Sequence, residues 1–476
     1  MTQVANAATF RLESDSIGTK EIPQDAYYGV QSLRAMENFS ITGGMLHKEM
    51  INSLAQLKKA CAITNANAGV LGRNIAGSIV KACDLLMEGK YHDQFIVDPI
   101  QGGAGTSMNM NANEVIANIA IELLGGQKGD YSIVHPNDHV NYGQSTNDVI
   151  PTAGKLTALV LLQDLKKALA YLKDAFREKA TAFDSILKMG RTQLQDAVPV
   201  RLGQEFAAYA TAVERSISRL EQAEGELLTI NMGGTAIGTG INADLAYFHH
   251  IDKTLADLTG FPFRQAEDLI DATQNIDCFA AVSGALKACA LALSKIANDL
   301  RLMSSGPRTG WGEINLPAKQ NGSSIMPGKI NPVIPEVVSQ IAYKVAGNDV
   351  TIAMAVEAGQ MELNAFEPVI FESLFQSITM LHNGAITFAD NCVSGITANE
   401  ERCQELLDAS VGTVTALRPH IGYARAAKLA KEALSTKVPV KELILRDKIL
   451  TEKELNEIMN AYGMTEPGIS GKELLV

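Results

Sequence analysis

The chain has 476 residues, a net charge of −12, and 46% hydrophobic against 20% charged residues. This length exceeds one ordinary domain core, and the hydrophobic fraction excludes a disordered chain. The acidic balance, without a run of basic residues, argues against binding to nucleic acid or to an anionic membrane surface.

The N-terminus and the cysteines indicate a cellular compartment. Residues 1–10 lack a basic segment followed by a long apolar run, so no signal peptide is expected. No uncharged apolar stretch reaches the roughly 18 residues that a membrane span needs. The six cysteines form no C-x-x-C pair, which indicates reduced thiols. The sequence therefore predicts a cytoplasmic protein without a membrane partner.

Three regions differ in their patterns along the chain. Residues 1–144 mix helical segments with loops rich in glycine and asparagine, and we interpret them as an N-terminal domain. Residues 145–400 carry long helical patterns, with a break expected near residues 357–359. Residues 401–476 hold shorter amphipathic segments typical of a small C-terminal domain. The predicted fold class is mainly α.

The central region contains apolar residues spaced alternately three and four apart. The clearest series consists of Val282, Leu286, Cys289, Leu293, Ile296, Leu300 and Met303. Similar series run through residues 162–176 and 202–220. Helices of about 30 residues are roughly 45 Å long and cannot bury such seams alone. We therefore expect a near-parallel bundle, and wide seams on long helices favour one that subunits share.

Three polar clusters precede or separate helical patterns. Thr106 follows a glycine-rich loop, the segment Ser145–Asp148 precedes a long helix that we expect Pro151 to open, and Arg191–Asp196 lies between two long helices. Free backbone N–H groups at helix N-termini attract small anions, and small hydroxyls and amides add donors there. Taken by itself, each cluster is explained by the capping of a helix. Together with a lysine-bearing loop, the three clusters favour a dicarboxylate over a nucleotide.

The segment Gly322–Pro332, which reads GSSIMPGKINP, is the most unusual stretch. Its spacing does not fit a phosphate-binding loop, and isoleucine follows the lysine where a magnesium-binding hydroxyl is needed. The glycines at both ends predict a mobile active-site loop, with Ser323 or Ser324 as nucleophile or base. Lys329 would bind a carboxylate and Asn331 would add a directional donor. An ordinary surface loop is the alternative.

Other candidate sites have weaker support. His135 and His139 are separated by Pro136, which favours a turn over a helical metal-binding pair. The glycine-rich stretch Gly233–Gly240 has neither the G-x-G-x-x-G pattern nor a surrounding βαβ unit. No metal or other cofactor is expected.

The loop and four further segments resemble the signature motifs of the aspartase/fumarase superfamily. The further segments are Gly102–Asn113, His135–Asp138, Gly143–Asp148 and Gly190–Pro199, and they occur in the order that the family has. The similarity covers nearly the whole chain. It implies a three-domain, mainly α fold whose long central helices form one bundle in a homotetramer, with active sites shared between subunits.

Two positions distinguish branches of this superfamily. Gln193 stands where fumarases have a histidine implicated in proton handling, and Glu367 stands before Pro368 where fumarases tend to have arginine. Loss of ammonia from an ammonium group needs less acid assistance than loss of hydroxide, and a neutral amide cannot supply a proton. The sequence thus resembles the aspartase branch. A fumarase, another fumarate-releasing lyase and a non-catalytic structural relative remain alternatives.

The resemblance implies conversion of L-aspartate to fumarate and ammonia, with roles for specific residues. Ser323 would remove a proton from Cβ, and the resulting carbanion would be held as an aci-carboxylate. The residues expected to bind the substrate are Thr106, Ser145, Thr146, Asn147, Thr192, Gln193, Ser324, Lys329 and Asn331. Arg34 and the segment His135–Asp138 are further candidates for carboxylate contacts.

Overall fold

The structure is a computed structural model that describes residues 9–475. The prediction about a signal peptide concerns residues 1–10 and lies mostly outside that range. The mainly α class is confirmed, because the described strands form only four small two-stranded sheets.

Helices in the first third of the chain are separated by loops. They are α1 (Val30–Asn38), α2 (Lys48–Asn67), α3 (Arg73–Met87) and α4 (Thr106–Leu123). Every residue of α4 from Met108 to Ile121 is buried, so other parts of the protein cover this helix on all sides. Residues Pro136–Val140 form a single π-helical turn, in which the His139 Nδ1 accepts a hydrogen bond from the His135 N–H.

Residues 146–391 contain the longest described helices, with three short helices among them. In chain order they are α5 (Thr146–Ala182), α6 (Leu202–Glu224), α7 (Leu245–Phe248), α8 (Ile251–Thr259), α9 (Asp271–Gln274), α10 (Cys278–Met303), α11 (Val333–Glu357) and α12 (Glu367–Asn391). The apolar series at 282–303 lies on α10 and every member is buried. The gap between α11 and α12 confirms the predicted break.

The C-terminal helices are short. They are α13 (Glu400–Ala409), α14 (Val414–Ile421), α15 (Tyr423–Thr436), α16 (Val440–Arg446), α17 (Glu452–Ile458) and α18 (Ala461–Thr465). Helices α14 to α17 supply the buried members of one apolar cluster, which includes Leu417, Leu443 and Leu455. Local sequence determines their ends. Thr451 and Glu454, for example, form a capping box at the start of α17.

Two of the four described strand pairs, the first two in the chain, are antiparallel hairpins. The strands are β1 (Phe10–Asp15), β2 (Gly18–Pro23), β3 (Leu187–Thr192), β4 (Gln195–Arg201), β5 (Thr229–Ile230), β6 (Arg264–Gln265), β7 (Ile314–Asn315) and β8 (Thr397–Ala398). Strands β5 and β6 are parallel and the other pairs are antiparallel.

The chain divides into two compact units, each made of three stretches. In its described part the first unit contains residues 9–166, 218–288 and 343–381, and the second contains 167–217, 289–342 and 382–475. These units follow contacts rather than sequence order. The three-domain boundaries at residues 144 and 400 therefore stay a prediction.

Among the described residues, α10 alone is long and apolar enough to cross a membrane by length and composition. The members of the heptad series on this helix are at most 4% exposed, whereas Leu291 and Leu302 on the same helix are exposed. Packing inside the protein accounts for the apolar residues of the series.

Candidate active site

Thr106 is the first residue of α4, where the glycine-rich loop ends. Its hydroxyl donates a hydrogen bond to the Gly103 carbonyl oxygen at 2.7 Å. Gly105 has a φ of +80°, and a Cβ there would lie 2.8 Å from Cγ2 of Ile150. This glycine therefore permits the start of α4 to approach the first turns of α5 closely. No side chain caps α4 at Gly105, so Thr106 lies at an uncapped helix N-terminus, and its role in substrate binding stays a prediction.

The segment Ser145–Asp148 forms the start of α5. The Ser145 hydroxyl accepts the Asn147 N–H at 3.2 Å, and Asp148 accepts the Ser145 N–H at 2.9 Å. The second Asp148 oxygen accepts the N–H groups of Gly233 and Thr235. Asp148 is fully buried, and burial raises its pKa to about 6.

The prediction that Pro151 opens this helix is wrong, because α5 already begins at Thr146. Proline lacks an N–H, which leaves the carbonyl oxygen four residues earlier without its helical donor. The Asn231 side-chain amide supplies that donor to the Asn147 carbonyl at 3.0 Å. The Asn147 amide in turn donates to the Ala236 carbonyl at 2.7 Å. These two hydrogen bonds of Asn147 hold the start of α5 against residues 231–236.

A buried lysine lies beneath the start of α5. Lys58 on α2 donates to Asn141 Oδ1 at 2.8 Å and to Gln144 Oε1 at 2.9 Å. Asn109 donates both to Asn141 Oδ1 and to the Thr146 hydroxyl, at 3.2 and 3.3 Å. Burial lowers the pKa of Lys58 to about 8. These contacts link α2, α4 and the turn before Ser145 into one polar network.

Thr192 and Gln193 lie at the end of a hairpin, so the expectation of a helix N-terminus is wrong for this cluster. Strands β3 and β4 pair up to Thr192 and Gln195, and residues 193 and 194 form the turn. Their φ angles are +56° and +63°. Both side chains are exposed to solvent at the tip of this hairpin, and neither lies at a helix N-terminus.

Three ion pairs lie just below that turn. Arg191 donates to the buried carboxylate of Glu313 at 2.8 Å, and its guanidinium lies 4.0 Å from the Trp311 ring centre. Lys188 lies 2.9 Å from Glu205 and 3.4 Å from Glu313.

The Gly322–Pro332 loop is closed at its base by contacts between its own two ends. The Gly322 N–H donates to the Lys329 carbonyl at 2.9 Å, and the Asn331 amide donates to the Gly322 carbonyl at 2.6 Å. Ser324 and Lys329 are exposed. Lys329 and Asn331 line a cavity of 790 Å³ together with Arg301 and Asn315.

The Ser323 hydroxyl oxygen accepts two backbone N–H groups. The donors are Ile325 at 3.2 Å and Met326 at 3.0 Å. Both donors point at the oxygen, so they stabilise negative charge on it.

The predicted site residues fall into two groups. Thr106, Ser145, Thr146 and Asn147 belong to the first unit, where the starts of α4 and α5 bring them together. Thr192 and Gln193 belong to the second unit, as do Ser323, Ser324, Lys329 and Asn331. Of the further candidates, Arg34 is paired with Asp15 at 2.8 Å, and His135 Nδ1 accepts the N–H groups of Asn137 and Asp138.

Sequence reasoning missed the buried charges that support these residues. Lys58 lies on the same buried face of α2 as Leu54, Cys61 and Asn65. A lysine at a position where helical spacing predicts an apolar residue could have indicated a buried charge. Glu313 has no comparable signal, because its partner Arg191 is 122 residues away.

Within residues 9–475, no group of three or more His, Cys, Asp or Glu side chains is arranged to hold a metal ion. The six cysteines are buried, and none of them forms a disulfide within the described residues.

Comparisons with known proteins identify the family of this chain. A family model described as "Lyase" matches residues 18–347, and one described as "Fumarase C C-terminus" matches residues 414–466. Aspartate ammonia-lyase of Bacillus subtilis is 56% identical over 466 residues, with 98% of each chain covered. Aspartate ammonia-lyase of Escherichia coli is 48% identical, with 97% of each covered.

Solved structures match over nearly the whole chain. A cobalt-bound fumarate lyase:delta crystallin from Brucella melitensis has a TM-score of 0.94 and 48% identity, covering 96% of this chain and all of that one. A class II fumarase from Schistosoma mansoni has a TM-score of 0.91 and 34% identity, covering 96% of this chain and all of that one. The chain therefore belongs to the lyase family of the aspartase/fumarase superfamily.

Proposed function

We propose that this chain is an aspartate ammonia-lyase, which converts L-aspartate reversibly to fumarate and ammonia. The observation that carries the proposal is the Ser323 hydroxyl, which accepts two backbone N–H groups on an accessible loop that also carries Lys329. Relatives named aspartate ammonia-lyase, 48 to 56% identical over nearly the full length, support the substrate and the reaction.

Ser323 acts as the base in this proposal. A serine hydroxyl is a weak base in water, and each unit by which its pKa falls requires about 1.36 kcal/mol of preferential stabilisation of the alkoxide. The N–H groups of Ile325 and Met326 supply part of that stabilisation. Lys329 adds positive charge, and closure of the loop over the substrate would remove competing water.

The reaction proceeds in two steps. Ser323 takes a proton from Cβ, and the C–H electron pair moves into the adjacent carboxyl group as an aci-carboxylate. This electron pair then forms the Cα–Cβ double bond while the C–N bond breaks and ammonia leaves with its electron pair. Donors that face the doubly charged carboxyl group stabilise the transition state more than the substrate. We assign this role to Thr106, Ser145, Thr146, Ser324, Lys329 and Asn331.

Two of the amides have structural partners that limit their roles. The Asn331 amide holds the base of the loop through Gly322, so contact with substrate requires that this hydrogen bond be exchanged. Asn147 is committed to the Ala236 carbonyl and acts by fixing the start of α5.

Thr192 and Gln193 bind the other end of the substrate in this proposal. A glutamine amide donates and accepts hydrogen bonds but does not transfer a proton at neutral pH. Ammonia leaves from a group that is already protonated, whereas hydroxide leaving from malate requires an acid. Gln193 therefore favours deamination over dehydration.

We further propose a cytoplasmic homotetramer with active sites shared between subunits. Two observations support the assembly: the site residues fall into two separate compact units, and α11 exposes Tyr343, Val350 and Met354. Light scattering should then give four times the chain mass of 51.0 kDa. Six cysteines without a disulfide among the described residues suit a reducing compartment.

Co-expression of two inactive variants tests whether the sites are shared. Thr106→Ala and Ser323→Ala remove residues from different units. If each site takes the two residues from different subunits, random mixed tetramers regain about one quarter of the wild-type activity. Co-expressed Ser323→Ala and Lys329→Ala, which alter the same loop, are the matched control and should stay inactive. No recovery in the first mixture would contradict shared sites.

The activity itself is tested by the ultraviolet absorbance of fumarate when purified protein receives L-aspartate, L-malate or argininosuccinate. Fumarate and ammonia from aspartate alone are the expected result. Fumarate from malate would mean that an acid other than residue 193 assists dehydration. No product from any of the three would contradict the proposed function.

A further inference from the structure

The end of the β3–β4 hairpin has little support of its own. Gln193 and Leu194 are not glycine, yet both have left-handed backbone conformations, which are unfavourable for such residues. Residues 192–196 are exposed. Within the described residues, the side chains of Thr192 and Gln193 form no hydrogen bond. A turn of this kind needs support from the residues immediately below it.

Arg191 is the residue that supplies this support. Its Nη1 donates to Glu313 Oε1 at 2.8 Å and to the Met189 carbonyl at 3.3 Å. Its guanidinium plane lies over the ring of Trp311, with 4.0 Å between Cζ and the ring centre. A charge-assisted hydrogen bond together with ring stacking fixes both the direction and the plane of the guanidinium.

Glu313 is itself held rigidly by the backbone on both sides. Its N–H donates to the Met303 carbonyl at the end of α10, at 2.8 Å, and its carbonyl accepts the Asn399 N–H at 2.9 Å. Its side chain is fully buried. Arg191 is thus tied to a fixed point in the second unit.

Four charged residues form one neutral group, which we call the ion-pair cluster: Lys188, Arg191, Glu205 and Glu313. Lys188 lies between the two carboxylates, 2.9 Å from Glu205 and 3.4 Å from Glu313. Loss of one carboxylate would leave two buried cations with a single partner, and a buried unpaired charge is strongly unfavourable.

A cavity of 250 Å³ lies next to this cluster. Its lining includes Leu194, Arg191, Lys188 and Trp311. The hairpin end is therefore not packed onto a continuous apolar core at this place. Its position is determined by the ion pairs rather than by close packing.

We propose that Glu313 is a positioning residue of the active site, which holds Arg191 and thereby fixes the backbone that carries Thr192 and Gln193. This inference rests on the proposed function, in which these two residues bind the substrate. Glu313 itself touches no substrate in this proposal and acts through Arg191.

The test is Glu313→Gln, measured by steady-state kinetics with L-aspartate and by fluorescence. The amide keeps the size of the side chain and loses its charge. Because Thr192 and Gln193 bind substrate and transition state alike, KM should rise about tenfold while kcat changes less than about threefold. Trp311 is the only tryptophan, so its emission directly reports the displacement of Arg191 and should change.

Glu432→Gln is the matched control. Glu432 also pairs with an arginine in the second unit, Arg446 at 2.7 Å, but this pair joins α15 to α16 among the C-terminal helices. Its KM, kcat and Trp311 emission should remain those of the wild type.

A second variant, Arg191→Lys, decides the matter if Glu313→Gln does not fold. Lysine keeps the charge next to Glu313 but loses the planar fork and the stacking on Trp311. It should also raise KM with little change in kcat. Unchanged KM in either folded variant, despite altered Trp311 emission, would overturn the positioning role. A wild-type protein that makes no fumarate would instead contradict the proposed function, while the fluorescence comparison would still test the contact between Arg191 and Glu313.

Discussion

Two segments that carry predicted substrate-binding hydroxyls are held in different ways. Ser145–Asn147 lies above a buried network in which Asp148 accepts three N–H groups and Lys58 donates to two amides. The Gly322–Pro332 loop is exposed from Ser324 to Ile330. Apart from the Asn331 and Pro332 carbonyls, which accept N–H groups from the start of α11, the hydrogen bonds described for it join residues within the loop itself.

The difference separates two tasks that one active site needs. Groups fixed by buried hydrogen bonds present donors in one geometry, which lowers the entropic cost of binding a dicarboxylate. A loop held only by its own contacts can move over the bound substrate and exclude water around the base. We infer that the start of α5 is preorganised for binding and that the loop supplies the chemistry on closure.

The largest expected effect comes from Ser323→Ala. Removal of the proposed base should lower kcat about a thousandfold, with little change in KM, because general base catalysis contributes effects of about that size. Ser435→Ala is the control, because Ser435 is an exposed residue of α15, and this variant should retain wild-type turnover. Near-normal turnover of Ser323→Ala would eliminate Ser323 as the base.

Asp148→Ala should disrupt the preorganised segment. Three backbone N–H groups lose a buried acceptor, and each unsatisfied group costs on the order of 1 kcal/mol or more. We expect a loss of about 3 kcal/mol in unfolding free energy, observed as a lower melting temperature, together with weaker fumarate binding. Asp84→Ala removes a half-exposed carboxylate that pairs with Lys59 and should change neither quantity much. A normal melting temperature for Asp148→Ala would show that the network is dispensable.

A pair of glycine substitutions compares the two segments directly. Gly105 and Gly328 have similar φ angles, +80° and +82°, but only Gly105 has a close neighbour, Ile150. Gly105→Ala should therefore cost about 2 kcal/mol in stability, and Gly328→Ala about 1 kcal/mol or less. We expect Gly328→Ala to affect kcat more than the melting temperature. Equal melting temperatures for the two variants would contradict the comparison.

The smallest effect concerns the pH dependence that Lys58 contributes. Its pKa is lowered to about 8 by burial, so the unfolded chain binds more protons than the folded one between about pH 8 and the ordinary lysine pKa. Stability from this group must therefore rise with pH in that window. From about pH 7.5 to about pH 9 the wild type should gain about 1 kcal/mol relative to Lys58→Met.

Melting temperatures of both proteins across that pH range measure this gain. Lys59→Met is the matched control, because the neighbouring Lys59 reaches Asp84 at the surface rather than the buried network. A constant difference between wild type and Lys58→Met would mean that Lys58 does not titrate in this range.

The helices and the Gly322–Pro332 loop could be predicted from the sequence because their signals are local. The apolar series on α10, the break after α11 and the glycine-bounded loop around Ser323 depend on spacing and residue type within a few turns. The same locality explains the error at Pro151. A proline at that position opens a helix in isolation, but here Asn231, 84 residues from Asn147, supplies the missing donor.

By itself, then, the sequence determined the helical class, the long apolar seams and which hydroxyls, amides and lysine are candidates for the site. Only the tertiary structure decided that Thr192 and Gln193 end a hairpin and that Lys58, Asp148 and Glu313 are buried beneath or beside the binding segments. The physical reason is that the burial of a charge depends on partners that the fold brings from far along the chain, such as Glu313 to Arg191.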